Sequence, residues 1–300
     1  MNAVVYDPAR AWLGALLSLT AAASFSVSNG FIKLALHDGV GSIEVVLARF
    51  CGTAAVLGLL LAIGRVPFMM PRRALLASIG LGVLVVGYNY TFIRSFEYIP
   101  IALAVLVFYL FPLLVVVAAW GLGREEPSWR AGIAMIVAFI GLALALDIQG
   151  ASVDLTGALF AFVAAAGLAF VIIANNWIVG AGDARPSTFW MVATAAAGAA
   201  IATMASGGPA APASGHGWLM LGIGTAIFAY AYVGFFVGMS MIGPVRASLL
   251  GNVEPVVALA VGWALLGETL GTIQLVGGAI VLAAILALKL RGGGHRGAAS

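Results

Sequence analysis

The sequence predicts an all-α integral membrane protein whose ten transmembrane helices form two inverted five-helix repeats. Three observations carry that prediction. Only 8% of the 300 residues are charged and 63% are apolar, against about 25% charged in a soluble domain, so a water-facing surface is not available. Ten apolar runs, each of about the 20 residues that cross a bilayer core, follow one another with short breaks. The two halves of the chain also align with each other at a fixed offset.

Taken in order, the runs cover 11–34, 42–64, 74–95, 99–121, 129–147, 156–179, 187–205, 217–241, 246–266 and 272–290. Each break holds the charges, Pro or Gly that end helices. Lipid offers no partner for open backbone, and the alternating ten-residue segments of a barrel do not occur, so every span is read as α-helix. Span 1 is too long for the apolar region of a secretory signal, lacks a small-residue cleavage site and carries Lys33 near its far end. The break SGGPAAPASGHG at 206–217 reads as a flexible loop. Residues 1–10 and 291–300 read as tails, the second of them disordered.

Orientation follows from the Lys and Arg. Arg10, Arg65, Arg72, Arg73, Arg124, Arg130, Arg185, Arg246, Lys289, Arg291 and Arg296 lie on one side of the ten-span arrangement, Lys33 and Arg94 on the other, and Arg49 within span 2. Both termini are therefore expected to be cytoplasmic, in the inner or plasma membrane of the cell. The same composition excludes a soluble enzyme, an appended catalytic domain and a nucleic-acid binder, since the net charge is only +3 and no basic run is present. Cys51 reads as a packing residue. His37, His216 and His295 lie far apart without ligand spacing, so no metal or other cofactor is expected.

At an offset of 143 residues, Gly14, Ala15 and Leu16 fall on Gly157, Ala158 and Leu159. More telling, Ile99, Pro112, Trp120 and Glu125 meet Ile242, Pro255, Trp263 and Glu268 without a gap, and Pro, Trp and Glu are rare here. The repeats are read as 11–147 and 156–290. Five helices is an odd number, so the second copy enters the membrane from the opposite side, a construction from which secondary transporters build two alternately open states.

The stretch from Pro244 to Leu288 resembles the closing segment of EamA-type transporters of the drug/metabolite transporter superfamily. The resemblance rests on Glu254-Pro255 in span 9 and on Leu266-Gly267-Glu268-Thr269 before a Gly-rich span 10, with a weaker first copy from Pro112 through Gly123-Arg124-Glu125, and Arg49 in span 2. It implies a ten-helix carrier of small metabolites, often an exporter, with a central cavity between the halves.

Ionisable groups in mid-bilayer cost about 2.5 to 3.5 kcal/mol each on insertion scales, so they should face a partner or a wet cavity. Pro112 and Pro255 stand roughly midway along spans 4 and 9, where each frees the carbonyl four residues earlier, at Phe108 and Gly251; they are read as matched helix breaks, with packing kinks as the alternative. Tyr109 and Asn252 are equivalent by the offset and are expected to face the cavity. Glu254 falls on the opposite helix face and has either a structural partner or a proton-coupling role. Tyr88, Asn89 and Tyr232 are further cavity candidates or else core residues with local hydrogen bonds. Asn29 and Lys33 share a face of span 1, with Lys33 snorkelling to water. Arg49 should pair with an acid such as Glu44 or bind an anionic cargo group. Arg94 and Glu97 are spaced to meet on one face, and Glu125 and Glu268 read as loop-end determinants.

These residues point to a secondary transporter of small molecules, amino acids among them, driven by protons or another gradient and working as a monomer or homodimer. No phosphate-binding loop for an ATPase occurs. A membrane-embedded enzyme would need a nucleophile or metal constellation, and none is visible. A non-transporting receptor or channel subunit would use Gly234 and Gly238 as an association face.

Overall fold

A computed structural model describes residues 8–121, 132–133, 136–137, 140–141, 144, 154–179, 184–242, 250–251, 253–269 and 271–292. Among these residues every regular element is a helix: α1 Pro8–His37, α2 Ser42–Ile63, α3 Arg72–Ser95, α4 Ile101–Phe108, α5 Phe111–Gly121, α6 Leu155–Val179, α7 Ala184–Ala205, α8 Gly215–Ile242, α9 Val253–Leu266 and α10 Thr272–Gly292. Among the described residues, six stretches are long and apolar enough to cross a membrane: Trp12–His37, Ser42–Ile63, Arg72–Ser95, Leu155–Ala174, Arg185–Ala205 and Gly215–Phe235. Val253–Leu266 and Leu275–Ala284 are shorter apolar helices. Span 5, at 129–147, lies mostly outside the described residues, as does the tail after Gly292.

Large apolar side chains stand exposed on several of these helices, among them Leu59 and Ile63 on α2, Val83 on α3, Phe170 on α6 and Ile201 on α7. On a water-soluble protein so much exposed apolar surface would drive association, and on these helices it faces lipid. Polar groups turn inward instead: Ser18, Ser28, Arg49 and Thr53 are all buried. Cys51, read from sequence as a packing residue, is exposed on α2.

The packing of the helices maps onto itself when the halves are exchanged. The α1 to α8 contact has its counterpart in α6 to α3, α2 to α8 in α7 to α3, and α1 to α9 in α6 to α5; the α2 to α7 contact is its own counterpart. Glycines set the closest of these approaches. A Cβ on Gly238 would lie 2.4 Å from Ser18 Oγ and 2.8 Å from the Gly14 carbonyl, and one on Gly224 would meet Ile32 and the Ser28 carbonyl. That order shows α8 running antiparallel to α1. In the counterpart contact, Gly157 fits against Tyr98 and Ile99, and Gly167 against Tyr88, so α6 runs antiparallel to α3.

Three expectations change. Helix α1 begins at Pro8, inside the stretch read as a tail, because proline at a first helical position loses no hydrogen bond and arrives with helical φ. Span 4, read as one run over 99–121 with a break or a kink at Pro112, is two helices parted at Tyr109 and Leu110. The segment 206–214 is not loose: the Ser214 amide and hydroxyl both donate to the Asp38 carboxylate at 3.0 Å, the Ala213 amide donates to the Asp38 carbonyl at 2.9 Å, and the Gly41 amide donates to Ala210. Its Gly and Pro serve defined turns, with Gly207 and Gly208 at φ of 99° and 106°.

Candidate functional site

Both helix breaks sit beside a proline, and both prolines occupy the first turn of the helix that follows. Pro112 is the second residue of α5 and Pro255 the third of α9. In a first turn the missing N–H would have no intrahelical acceptor in any case. The chain therefore stops and restarts with little loss.

The two breaks meet. The Tyr109 hydroxyl, from the first, donates to the Gly251 carbonyl of the second at 2.7 Å and lies 2.9 Å from Glu254 Oε2. Gly251 is the carbonyl that Pro255 was expected to free, so the group left without its helical donor takes one from the other repeat. The sequence reading set Glu254 on a face away from the cavity by stepping 100° per residue across an unbroken helix. A helix that begins at Val253 removes the basis for that step. Asn252 lies outside the described residues.

On the α1 side of the site, Ser26 Oγ donates to the Glu254 carbonyl at 2.7 Å and Ser28 Oγ to the Gly224 carbonyl of α8 at 2.7 Å. Arg49 reaches in from α2, where its Nη2 donates to Ser28 Oγ at 3.0 Å and to Asn29 Oδ1 at 2.8 Å, and its guanidinium lies 4.6 Å from the centre of the Phe228 ring. The side chain is 1% exposed, and its Nε finds no partner. Glu44, the acid suggested by sequence, is not what Arg49 meets; it folds against Gly41 near the start of α2. Arg49 and Glu254 are both buried, and no ion pair between them is present among the described residues. Among the described residues, the ion pairs are instead Lys33 with Glu268, and Arg94 with Glu97.

The site thus joins Asn29, Arg49, Tyr109, Glu254 and Pro255. Phe228 backs it, with Phe25, Phe50 and Tyr232 at ring distances of 5.6, 6.0 and 6.0 Å. Asn89 donates to its own helix at the Val85 carbonyl, 3.1 Å away, and Tyr88 packs against Gly167. Lys33 lies elsewhere, at the far end of α1, where it meets Glu268 and not open water. Sequence reading passed over Ser26, Ser28 and Phe228. The signal for the serines was present, since Ser26, Ser28 and Asn29 form a polar knot in an otherwise apolar run. Phe228 gave none, because one aromatic among many carries no mark.

A groove of about 820 Å³ runs along α8 between α1 and α2, lined by Trp218, Gly222, Ala226 and Val237 among others. It is apolar and shares no residue with the polar cluster. Gly238 turns toward α1 within the same chain, so the association face suggested for Gly234 and Gly238 is occupied internally.

The sequence pattern of the EamA-like transporter family matches residues 12–146 and again 155–290. An uncharacterized transporter of Archaeoglobus fulgidus is 30% identical over 243 residues, covering 80% of this chain and 83% of that protein. A protein of known crystal structure, at 20% identity, aligns over 92% of this chain and 97% of its own with a TM-score of 0.62; at that identity the likeness is one of fold. One family pattern covers both halves, whose equivalent breaks meet at a single buried polar centre, and the chain belongs to the EamA-like transporter family of membrane transporters.

Proposed function

We propose that the protein is a secondary transporter that exports small metabolites, amino acids among them, across the cell membrane by alternating access between two inverted repeats, 11–147 and 156–290. The observation that supports this most is the meeting of two helix breaks at equivalent repeat positions, Tyr109 with Gly251 and Glu254. Broken helices of this kind put backbone groups and half-helix ends at a binding site in mid-membrane. Arg49 supplies a positive group and Glu254 a negative one, an arrangement suited to a zwitterion such as an amino acid. Tyr109, Asn252 and Asn29 contribute neutral hydrogen bonds, Tyr88, Asn89 and Tyr232 complete the wall, and protons or another gradient supply the energy.

Purified protein in liposomes loaded with unlabelled amino acid should accumulate the labelled form by counterflow. Tyr109→Phe, which removes two cross-repeat hydrogen bonds, should lower the initial rate about tenfold, corresponding to the 1 to 3 kcal/mol of a buried unsatisfied group. Absence of counterflow across a panel of small metabolites would overturn the carrier reading. Turnover of a lipid in its place would favour a membrane-embedded enzyme, and neither activity a receptor or channel subunit.

The Lys and Arg distribution supports a topology with both termini in the cytoplasm. Cysteines at Arg72 and Ser214, in a Cys51→Ser background, should react with an impermeant thiol reagent from opposite sides of the membrane. Labelling from one side would refute the topology.

A further inference from the structure

We propose that the Lys33 to Glu268 pair is a latch that holds the transporter closed at the end where α1 finishes. Lys33 Nζ lies 2.6 Å from Glu268 Oε1, with both side chains largely covered, at 11% and 13% exposure. The same ammonium donates to the Ile99 carbonyl at 3.2 Å, and the same carboxylate accepts the Ile101 amide at 3.1 Å. The pair thus grips both sides of Pro100, the corner from which α4 begins. Lys33 and Pro100 belong to the first repeat and Glu268 to the second, so one ion pair ties three segments across the boundary between the halves.

Glu268 is held in position by its own backbone. Helix α9 ends at Leu266, Gly267 takes the left-handed conformation at φ 66°, and the Glu268 amide returns to the Gly262 carbonyl at 2.9 Å. This is the glycine termination that closes the last turn of a helix. The carboxylate then folds over Gly262, where a Cβ would stand 2.6 Å from Oε2. A hollow of about 310 Å³ lies at the pair, lined by Lys33, His37, Glu97, Pro100 and Glu268. Helices α4 and α9 also carry the breaks of the central site, so parting them at this end exposes that site, and the latch is what resists the parting.

The repeat offset shows that the arrangement is one-sided. Glu268 corresponds to Glu125, but Lys33 corresponds to the uncharged Asn176, so equivalent residues cannot form an ion pair in the second copy. The pair therefore belongs to this end, and removing it shifts the population toward opening at the His37 end.

The inference rests on the carrier reading, but its test reads distance and not transport, so the two can fail separately. Spin labels at His37→Cys and Thr269→Cys, both exposed positions, in a Cys51→Ser background report the separation of the repeats at this end. Lys33→Met and Glu268→Gln should each raise the longer-distance population roughly fivefold, the effect of losing a pair at the upper end of exposed ion-pair strength. Glu268→Gln keeps a carbonyl for the Ile101 amide, and Lys33→Met leaves Glu268 untouched, so a shift common to both reports the ion pair and not the α4 cap. Lys33→Arg, which keeps the charge, should retain the native distribution. Unchanged distributions in Met and Gln variants that stay monodisperse, or a shift in only one of them, would overturn the latch.

Discussion

Gly238→Ala is expected to destabilise the protein by about 2 to 3 kcal/mol through overpacking, and Gly222→Ala on the same helix to leave it unchanged or slightly more stable. At Gly238 the new methyl would sit 2.4 Å from Ser18 Oγ, 2.8 Å from the Gly14 carbonyl and 2.9 Å from the Ser18 amide. Two of those three atoms are backbone of α1, so no rotamer change relieves the contact; the helices must separate. Separation loosens the α1 to α8 seam, through which Ser28 holds the Gly224 carbonyl. Gly222 has nothing within 4 Å of its Cβ direction, and there alanine gains the roughly 0.5 to 1 kcal/mol by which it exceeds glycine in a helix. Thermal unfolding of the purified variants in detergent gives both signs. If Gly238→Ala instead changed the oligomeric state and left the melting temperature alone, the glycine would serve a face between molecules and the internal contact would be wrong.

Much of the fold was legible because lipid imposes a one-dimensional code. Apolar length, together with charges at the breaks, marked α2, α3, α6, α7 and α8 to within a few residues of their observed bounds, and the offset that brings Pro112 onto Pro255 anticipated the exchange symmetry of the helix packing. The breaks were legible only as prolines. A proline tolerates a bent helix interior or a first turn equally well by local rules, and the choice at Tyr109 and Leu110 depends on what receives the freed groups. That acceptor and donor chemistry lies in the other repeat: Tyr109 and Glu254 are 145 residues apart, and Lys33 and Glu268 are 235. A helical wheel fixes relative faces within one unbroken helix, but not the rotation of that helix against its neighbours. Arg49 could thus be flagged as a buried charge in need of partners, while Asn29, Ser28 and Phe228 could not be chosen over Glu44.

Arg49→Met is expected to have the largest effect at the site, a loss of about 1 to 3 kcal/mol in stability, because it leaves the buried Asn29 oxygen without its donor and Glu254 without an opposite charge in the same site. The guanidinium supplies three things together: hydrogen bonds to Ser28 and Asn29, a flat face on Phe228, and a positive charge in the same site as Glu254. Lysine keeps only the charge, since an ammonium has neither the fork nor the plane, so Arg49→Lys should fall between native and Met. The decisive comparison adds Glu254→Gln. That change alone keeps an oxygen for the Tyr109 hydroxyl but leaves Arg49 unopposed, and it too should destabilise. In the double variant neither charge remains to be left alone, so its loss should be smaller than the sum of the single losses by at least about 1 kcal/mol, as for residues sharing one network. Unfolding of the four proteins under one set of conditions measures this coupling. Strict additivity would mean that Arg49 and Glu254 do not share a field, and a zwitterion held between them would lose its physical basis. Coupling of the expected sign would make the two repeats electrostatically dependent at their common centre, where a cargo bearing both charges could take the place of each partner in turn.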